Sequence, residues 1–218
     1  KIEILSRYKN KKLINIKNIK KLPASIKKII LTDLKKITLK RKNLSKYTKI
    51  SEPLIMGVLN LTPDSFSDGG LYNNSKKAFQ HIESMISKGA DIVDIGGEST
   101  RPGSKEVPHI KEWKRLEKVI IKFKKKFPKT FLSVDTRKSY VMLKAIKYKS
   151  DLINDVSGFN HDQESIQNIK DYNIWKVLHH MKGTPNTMQI SPNYKNVLLD
   201  IYDFFENKIE IDFKKFKY

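Results

Sequence analysis

The chain of 218 residues is long enough for one large domain or two small ones, and its lack of Cys excludes disulfides and thiolate metal sites. Its formal charge of +21 is an N-terminal property, with 17 basic against 2 acidic residues in 1–50 and 27 against 21 in 51–218; only 5 of the 44 basic residues are Arg, the residue favoured for reading bases, so nucleic-acid binding is not expected. No apolar run approaches the roughly 20 residues that cross a membrane and residues 1–12 lack the apolar core of a signal peptide, so a cytoplasmic protein without a membrane partner is expected.

Residues 1–50 read as a basic, Lys/Asn-rich extension whose pattern does not fix its order. One alternating run, KITLKR (Lys36 to Arg41), suits a short strand. From Pro53 the pattern becomes regular. LIMGVLN (54–60) is a buried-strand run that turns abruptly into the polar, glycine-ended loop LTPDSFSDGG. Residues 74–90 place Ala78, Phe79, Ile82, Met85 and Ile86 on one helical face. ADIVDIGG (90–97) is a second buried strand and 111–128 a second helix, stopped by Pro128. FLSVDT (131–136), DLINDVSG (151–158) and NIWKVLHHM (173–181) are further strands. Helices over 137–148, 162–172 and, as a long final element, 194–216 follow them. Trp113 and Trp175 read as packing residues.

Alternating strands and helices, with strands apolar on both faces, mean a parallel sheet covered by helices. A doubly wound sheet and a (β/α)8 barrel both fit, and the absence of GxGxxG in the first loop disfavours the nucleotide fold. In either architecture chemistry gathers at the C-terminal strand ends. Polar residues collect there: Asn60, then Glu98–Arg101, Asp135, Asn154 with Asp155, and His179 with His180. The two His are strand neighbours, so they face opposite sides. Asp94, in mid-strand, reads as a structural hydrogen-bonding group rather than a catalyst.

MGVLNLTPDSFSDGG and GADIVDIGGESTRPG resemble the two hallmark motifs of the dihydropteroate synthase family, and SVDTRK, LINDVSG and HMKGTPNTMQ resemble its next three strand-end motifs in the same order. The resemblance runs from about Leu54 to the end. It implies a (β/α)8 TIM barrel, of which about five units (51–218) are present, and a sulfonamide-sensitive transferase of folate biosynthesis. The family condenses dihydropterin pyrophosphate with p-aminobenzoate, releases pyrophosphate and uses Mg2+. By the same resemblance Asn60 supports the metal, and Thr100 and Arg101 bind the pyrophosphate. Pro102 and Phe66 lie toward the aminobenzoate, and Ser67 is a substrate-binding residue of the first loop, which folds over the site. Asp135 and Asn154 hold the pterin whose electrons expel the leaving group. The family usually has Met where His179 stands, which alters the pterin wall.

A barrel of roughly 250 residues spends about 31 on each unit, so the 166 residues from Pro53 supply about five. The family's last three units bring a second pterin-binding Asp, a Lys in an SRK-like motif and an Arg-x-His pair, together with the helices through which it commonly forms homodimers. None of these is present, and the chain begins with Lys rather than Met. The expectation is therefore a segment of an active synthase. A truncated inactive or regulatory pterin-binding relative is the alternative. A methyltetrahydrofolate-dependent methyltransferase on the same barrel is not expected to carry TPDSFSDGG with GGESTRPG.

Overall fold

The computed structural model describes residues 1–40, 43–45, 48, 53–62, 71–99, 104–184 and 187–210, with the backbone alone for 71–74. The chain divides into two compact units. One comprises Lys1–Lys42 with Tyr194–Phe204, the other Asn43–Asn193 with Phe205–Tyr218.

In the first unit, β1 (Ile2–Ile4) pairs antiparallel with β2 (Lys12–Ile14). A 3-10 turn over Ile16–Lys21 follows, opened by the Asn15 side chain accepting from the Lys17 amide. Then comes α1 (Ala24–Thr38), entered through Pro23 at its N-cap. Ile14, Ile19 and Ile30 form the small core, with Ile2, Ile4, Leu22 and Leu34 against it. The strand expected over Lys36–Arg41 is corrected here: α1 runs on to Thr38, whose hydroxyl donates to the Leu34 carbonyl. Ile30 and Leu34 recur with helical period on the buried stripe, and that burial overrides the short alternation of Ile37 and Leu39. Arg41 lies outside the described residues.

The second unit is built on five parallel strands in sequential order: β3 (Met56–Asn60), β4 (Ile92–Gly96), β5 (Phe131–Asp135), β6 (Leu152–Asp155) and β7 (Trp175–Leu178). They are joined by α2 (Leu71–Ser87), α3 (His109–Lys126), α4 (Ser139–Lys147) and α5 (Ser165–Ile169). Side chains alternate across each strand, and the two faces separate into two cores. Leu59, Val93, Ile95, Leu132, Val134 and Ile153 pack on the helices, against Phe79 and Ile82 of α2, Leu116, Ile120 and Phe123 of α3 and Val141 and Met142 of α4. On the opposite face Ile92, Phe131 and Leu152 form a smaller cluster with Leu44, Leu54 and Val177.

The helices carry their own end signals. In α3, Glu112 lies in the first turn and Lys124–Lys126 in the last, each complementing the helix dipole. Trp113 of α3 is buried and stacks on Tyr148. Trp175, expected to pack, is instead 42 % exposed on the inner sheet face, its indole N–H donating to the Leu44 carbonyl. The helix expected over 162–172 shortens to α5 because the Asp162 side chain and carbonyl accept from Glu164 and Ser165, turning the chain before the helix starts. The long final helix is α6 (Val197–Lys208), starting where the Asn196 side chain accepts from the Leu199 amide. Residues 211–216 of its expected span lie outside the described residues.

Candidate active site

The sheet register lines up the polar strand ends. Asn60 is opposite Gly96, Gly96 opposite Asp135, Asp135 opposite Asn154, and Asn154 opposite Val177. Residues in one lateral row of a parallel sheet point to the same face. A Cβ on Gly96 would stand 3.4 Å from both Asn60 Oδ1 and Asp135 Oδ2, so the two oxygens converge over the bare glycine. The missing side chain keeps the middle of the row open.

One layer below are Asp94 and Ser133, again opposite each other. Asp94 is 3 % exposed and fully engaged. Its Oδ1 accepts from the Ser133 hydroxyl and its Oδ2 from Asn154 Nδ2 at 3.0 Å. Asn154 Oδ1 in turn faces His179 Nε2 at 2.8 Å. These contacts agree with a structural role for Asp94, which orients the amide above it. His180, on the other side of the chain, sets its ring edge-on to Phe205.

Asp135 has a different environment. Among the described residues no protein donor reaches its carboxylate. Burial pushes its pKa from 3.8 up to about 7, helped by the charges of Asp94, Asp155, Glu112 and Glu98. Asp94 and Asp155 are also pushed above the ordinary carboxylate value by burial, against the pull of their hydrogen bonds. The site is thus acid-rich, and at neutral pH Asp135 can either accept or release a proton. A half-buried carboxylate to which no described residue donates is suited to a ligand that brings its own N–H donors.

Just after β4, Glu98 accepts from the Val107 amide at 2.8 Å. Its carboxylate also takes Arg137 Nη2 at 2.8 Å and Lys138 Nζ at 2.9 Å, both from the segment after β5. Lys138 bridges on to Glu112 at 2.8 Å. Burial pushes Glu98 up, but the bonds from Lys138, the Val107 amide and Arg137 outweigh it and hold the carboxyl below its ordinary value. Farther along, Arg115 Nη1 donates to the Gly97 carbonyl at 2.6 Å. His161 bridges Glu106 and Arg137 at 3.2 and 3.3 Å.

Of the residues singled out in the sequence, the structure therefore brings Asn60, Asp135 and Asn154 into one row. Thr100, Arg101 and Pro102 on the second loop, and Phe66 and Ser67 on the first, lie outside the described residues. Glu98, Arg137 and Lys138 were not expected as a unit. The signal available was a Glu just after one strand and an Arg-Lys pair just after the next, which neighbouring parallel strands bring together.

Among the described residues no group of three or more His, Asp or Glu side chains is arranged to hold a metal. The donor at the strand end is the neutral amide oxygen of Asn60, with the Asp135 carboxylate beside it. Hard oxygen donors this few suit Mg2+, which keeps several waters and takes other ligands from phosphate.

Comparison with known proteins places the chain in a family. The profile of the pterin binding enzyme family matches residues 56–213. The chain is 38 % identical over 164 residues to the dihydropteroate synthase of Haemophilus influenzae, covering 75 % of this chain and 59 % of that one. Among solved structures, it resembles the Clostridium difficile dihydropteroate synthase determined in the presence of pteroic acid, with TM-score 0.66 and 41 % identity over 73 % of this chain and 58 % of the other. It likewise resembles the Xanthomonas albilineans dihydropteroate synthase with 4-aminobenzoic acid, with TM-score 0.67 and 34 % identity over 76 % and 57 %. The chain spans a little over half the length of the curated relatives it matches. With the match covering most of its residues, this chain belongs to the pterin binding enzyme family.

Proposed function

We propose that the protein to which this chain belongs is a dihydropteroate synthase, joining 7,8-dihydropterin-6-ylmethyl diphosphate to p-aminobenzoate with release of pyrophosphate. The observation that carries the proposal is the row Asn60, Asp135 and Asn154 at the C-terminal ends of adjacent parallel strands, open over Gly96. The relatives' names and the ligands in their solved structures support the same reading.

In this reading the Asp135 carboxylate accepts the paired N–H donors of the aminopyrimidine edge, and the Asn154 amide meets a donor and an acceptor beside it. Ring electrons then expel the diphosphate as the methylene C–O bond breaks. The arylamine nitrogen of p-aminobenzoate forms the new C–N bond and loses a proton. No strong general base is required. Asn60 would hold Mg2+, which supplies positive charge to the departing diphosphate. Thr100 and Arg101 would donate to the diphosphate oxygens. Pro102 and Phe66 would border the aminobenzoate, and Ser67 would bind substrate from the first loop. We extend the proposal, on likeness to the relatives, to a cytoplasmic homodimer.

The test is a pyrophosphate-release assay on the natively expressed protein, with both substrates and Mg2+. Release that depends on p-aminobenzoate supports a synthase. Saturable pterin binding without release identifies a binding module instead.

A further inference from the structure

His179 is an inward-facing polar side chain at a strand end to which the proposed reaction gives no task. Its Nε2 lies 2.8 Å from Asn154 Oδ1. Asn154 Nδ2 donates to Asp94 Oδ2 at 3.0 Å, so the amide carbonyl faces the imidazole, and this arrangement takes the Nε2–H tautomer of His179. Asn154 is therefore clamped on both sides. Asp94 takes one N–H, His179 gives to one lone pair, and one N–H and one lone pair remain in a fixed order.

The backbone of His179 is held as firmly as its ring. Gly158 lies against the His179 carbonyl, and a Cβ there would come within 2.4 Å of that oxygen. The turn that presents Gly158 is tied by Asp155, which accepts from the Ser157 amide at 2.8 Å, its hydroxyl at 2.7 Å and the Phe159 amide at 3.1 Å. Strand end, turn and imidazole thus form one support beneath a single amide.

We propose that His179 is a positioning residue that locks the Asn154 side-chain amide in the orientation that reads the donor–acceptor edge of the pterin. The inference rests on the pterin reading above and deepens it. Asp94 alone is a weaker guide. Its carboxyl, once protonated, can donate to the amide oxygen as well as accept from the nitrogen, and the amide is then free to turn over. The imidazole, held as the Nε2–H tautomer, removes that second orientation, because a ring N–H can only donate.

The test measures dihydropterin diphosphate binding to the natively expressed protein by calorimetry, for the wild type, His179→Leu and His179→Gln. One hydrogen bond of ordinary strength corresponds to about a fivefold change in affinity. His179→Leu is expected to bind about fivefold to tenfold more weakly, while His179→Gln, whose amide N–H can replace Nε2–H, stays within about twofold of the wild type. Nitrogen NMR of the ligand-free chain provides the second arm. His179 is expected as the Nε2–H tautomer, with its signal displaced in Asn154→Ala. Wild-type affinity in folded His179→Leu, or equal losses in the Leu and Gln variants, overturns the proposal and leaves the pterin reading standing. No binding by the wild type overturns both as statements about pterin. An Nδ1–H tautomer overturns the clamp itself.

Discussion

Asp135 offers a perturbation in which stability and binding move in opposite directions. Burial and four neighbouring carboxylates hold its pKa at about 7 against the ordinary 3.8. Between those values the folded chain retains a proton that the unfolded chain has lost. Stability from this group is thus greatest below pH 3.8, falls as pH rises, and reaches its lowest level above about pH 7. The interval corresponds to a penalty on the order of 4 kcal/mol when the carboxylate is fully ionised. Asp135→Asn removes the charge and keeps the shape. It is expected to stabilise the chain at pH 8 by about 2 to 4 kcal/mol and to leave it nearly unchanged at pH 4. Urea unfolding of both proteins across pH 4–8 reads this directly. In the same variant dihydropterin diphosphate binding should fall by more than about tenfold, because a charge-assisted acceptor has been lost. Parallel stability–pH curves for the two proteins would refute the electrostatic argument. Unchanged pterin affinity would refute the assigned role.

Three further outcomes are expected. Glu98→Gln leaves Arg137 and Lys138 buried without their shared carboxylate and should destabilise the chain by about 3 to 5 kcal/mol. Because folding lowers the Glu98 pKa, the wild type should lose this stabilisation as pH falls below about 4.5, and urea unfolding at pH 3 and 7 checks the convergence of the two proteins. Gly158→Ala combines a φ of +60° with a contact of 2.4 Å to the His179 carbonyl. It should lower stability by about 2 to 3 kcal/mol, measurable by thermal melting. Asn60→Ala should raise the Mg2+ concentration needed for half-maximal dihydropterin diphosphate binding by about tenfold, with binding in the absence of Mg2+ unaffected; calorimetry over a Mg2+ series reads both.

The strands of the second unit were legible because each is a short apolar run ending in polar residues, and such runs need a sheet covered on both faces. Legibility failed where local pattern competed with tertiary burial. Ile37 and Leu39 alternate like a strand, but Ile30 and Leu34 draw Thr38 into the helix that covers the hairpin. Asn60, Asp135 and Asn154 stood out as strand-end residues. Their placement in one row depends on register, which is set by side chains packed from both faces. The role of Asp94 could be guessed from its mid-strand position. Its partners could not, since Ser133 and Asn154 are 39 and 60 residues away. The Glu98–Arg137–Lys138–Glu112 network was hidden for the same reason, because it joins loops and a helix start that only the sheet brings together.

The central claim is that the row of strand-end side chains on this chain reads a pterin. Its most direct test is calorimetric titration of the natively expressed protein with 7,8-dihydropterin-6-ylmethyl diphosphate in the presence of Mg2+. The account predicts saturable one-to-one binding that weakens by more than about tenfold in both Asp135→Asn and Asn154→Ala. Absence of saturable binding by the folded wild type, or binding that neither substitution alters, would contradict it.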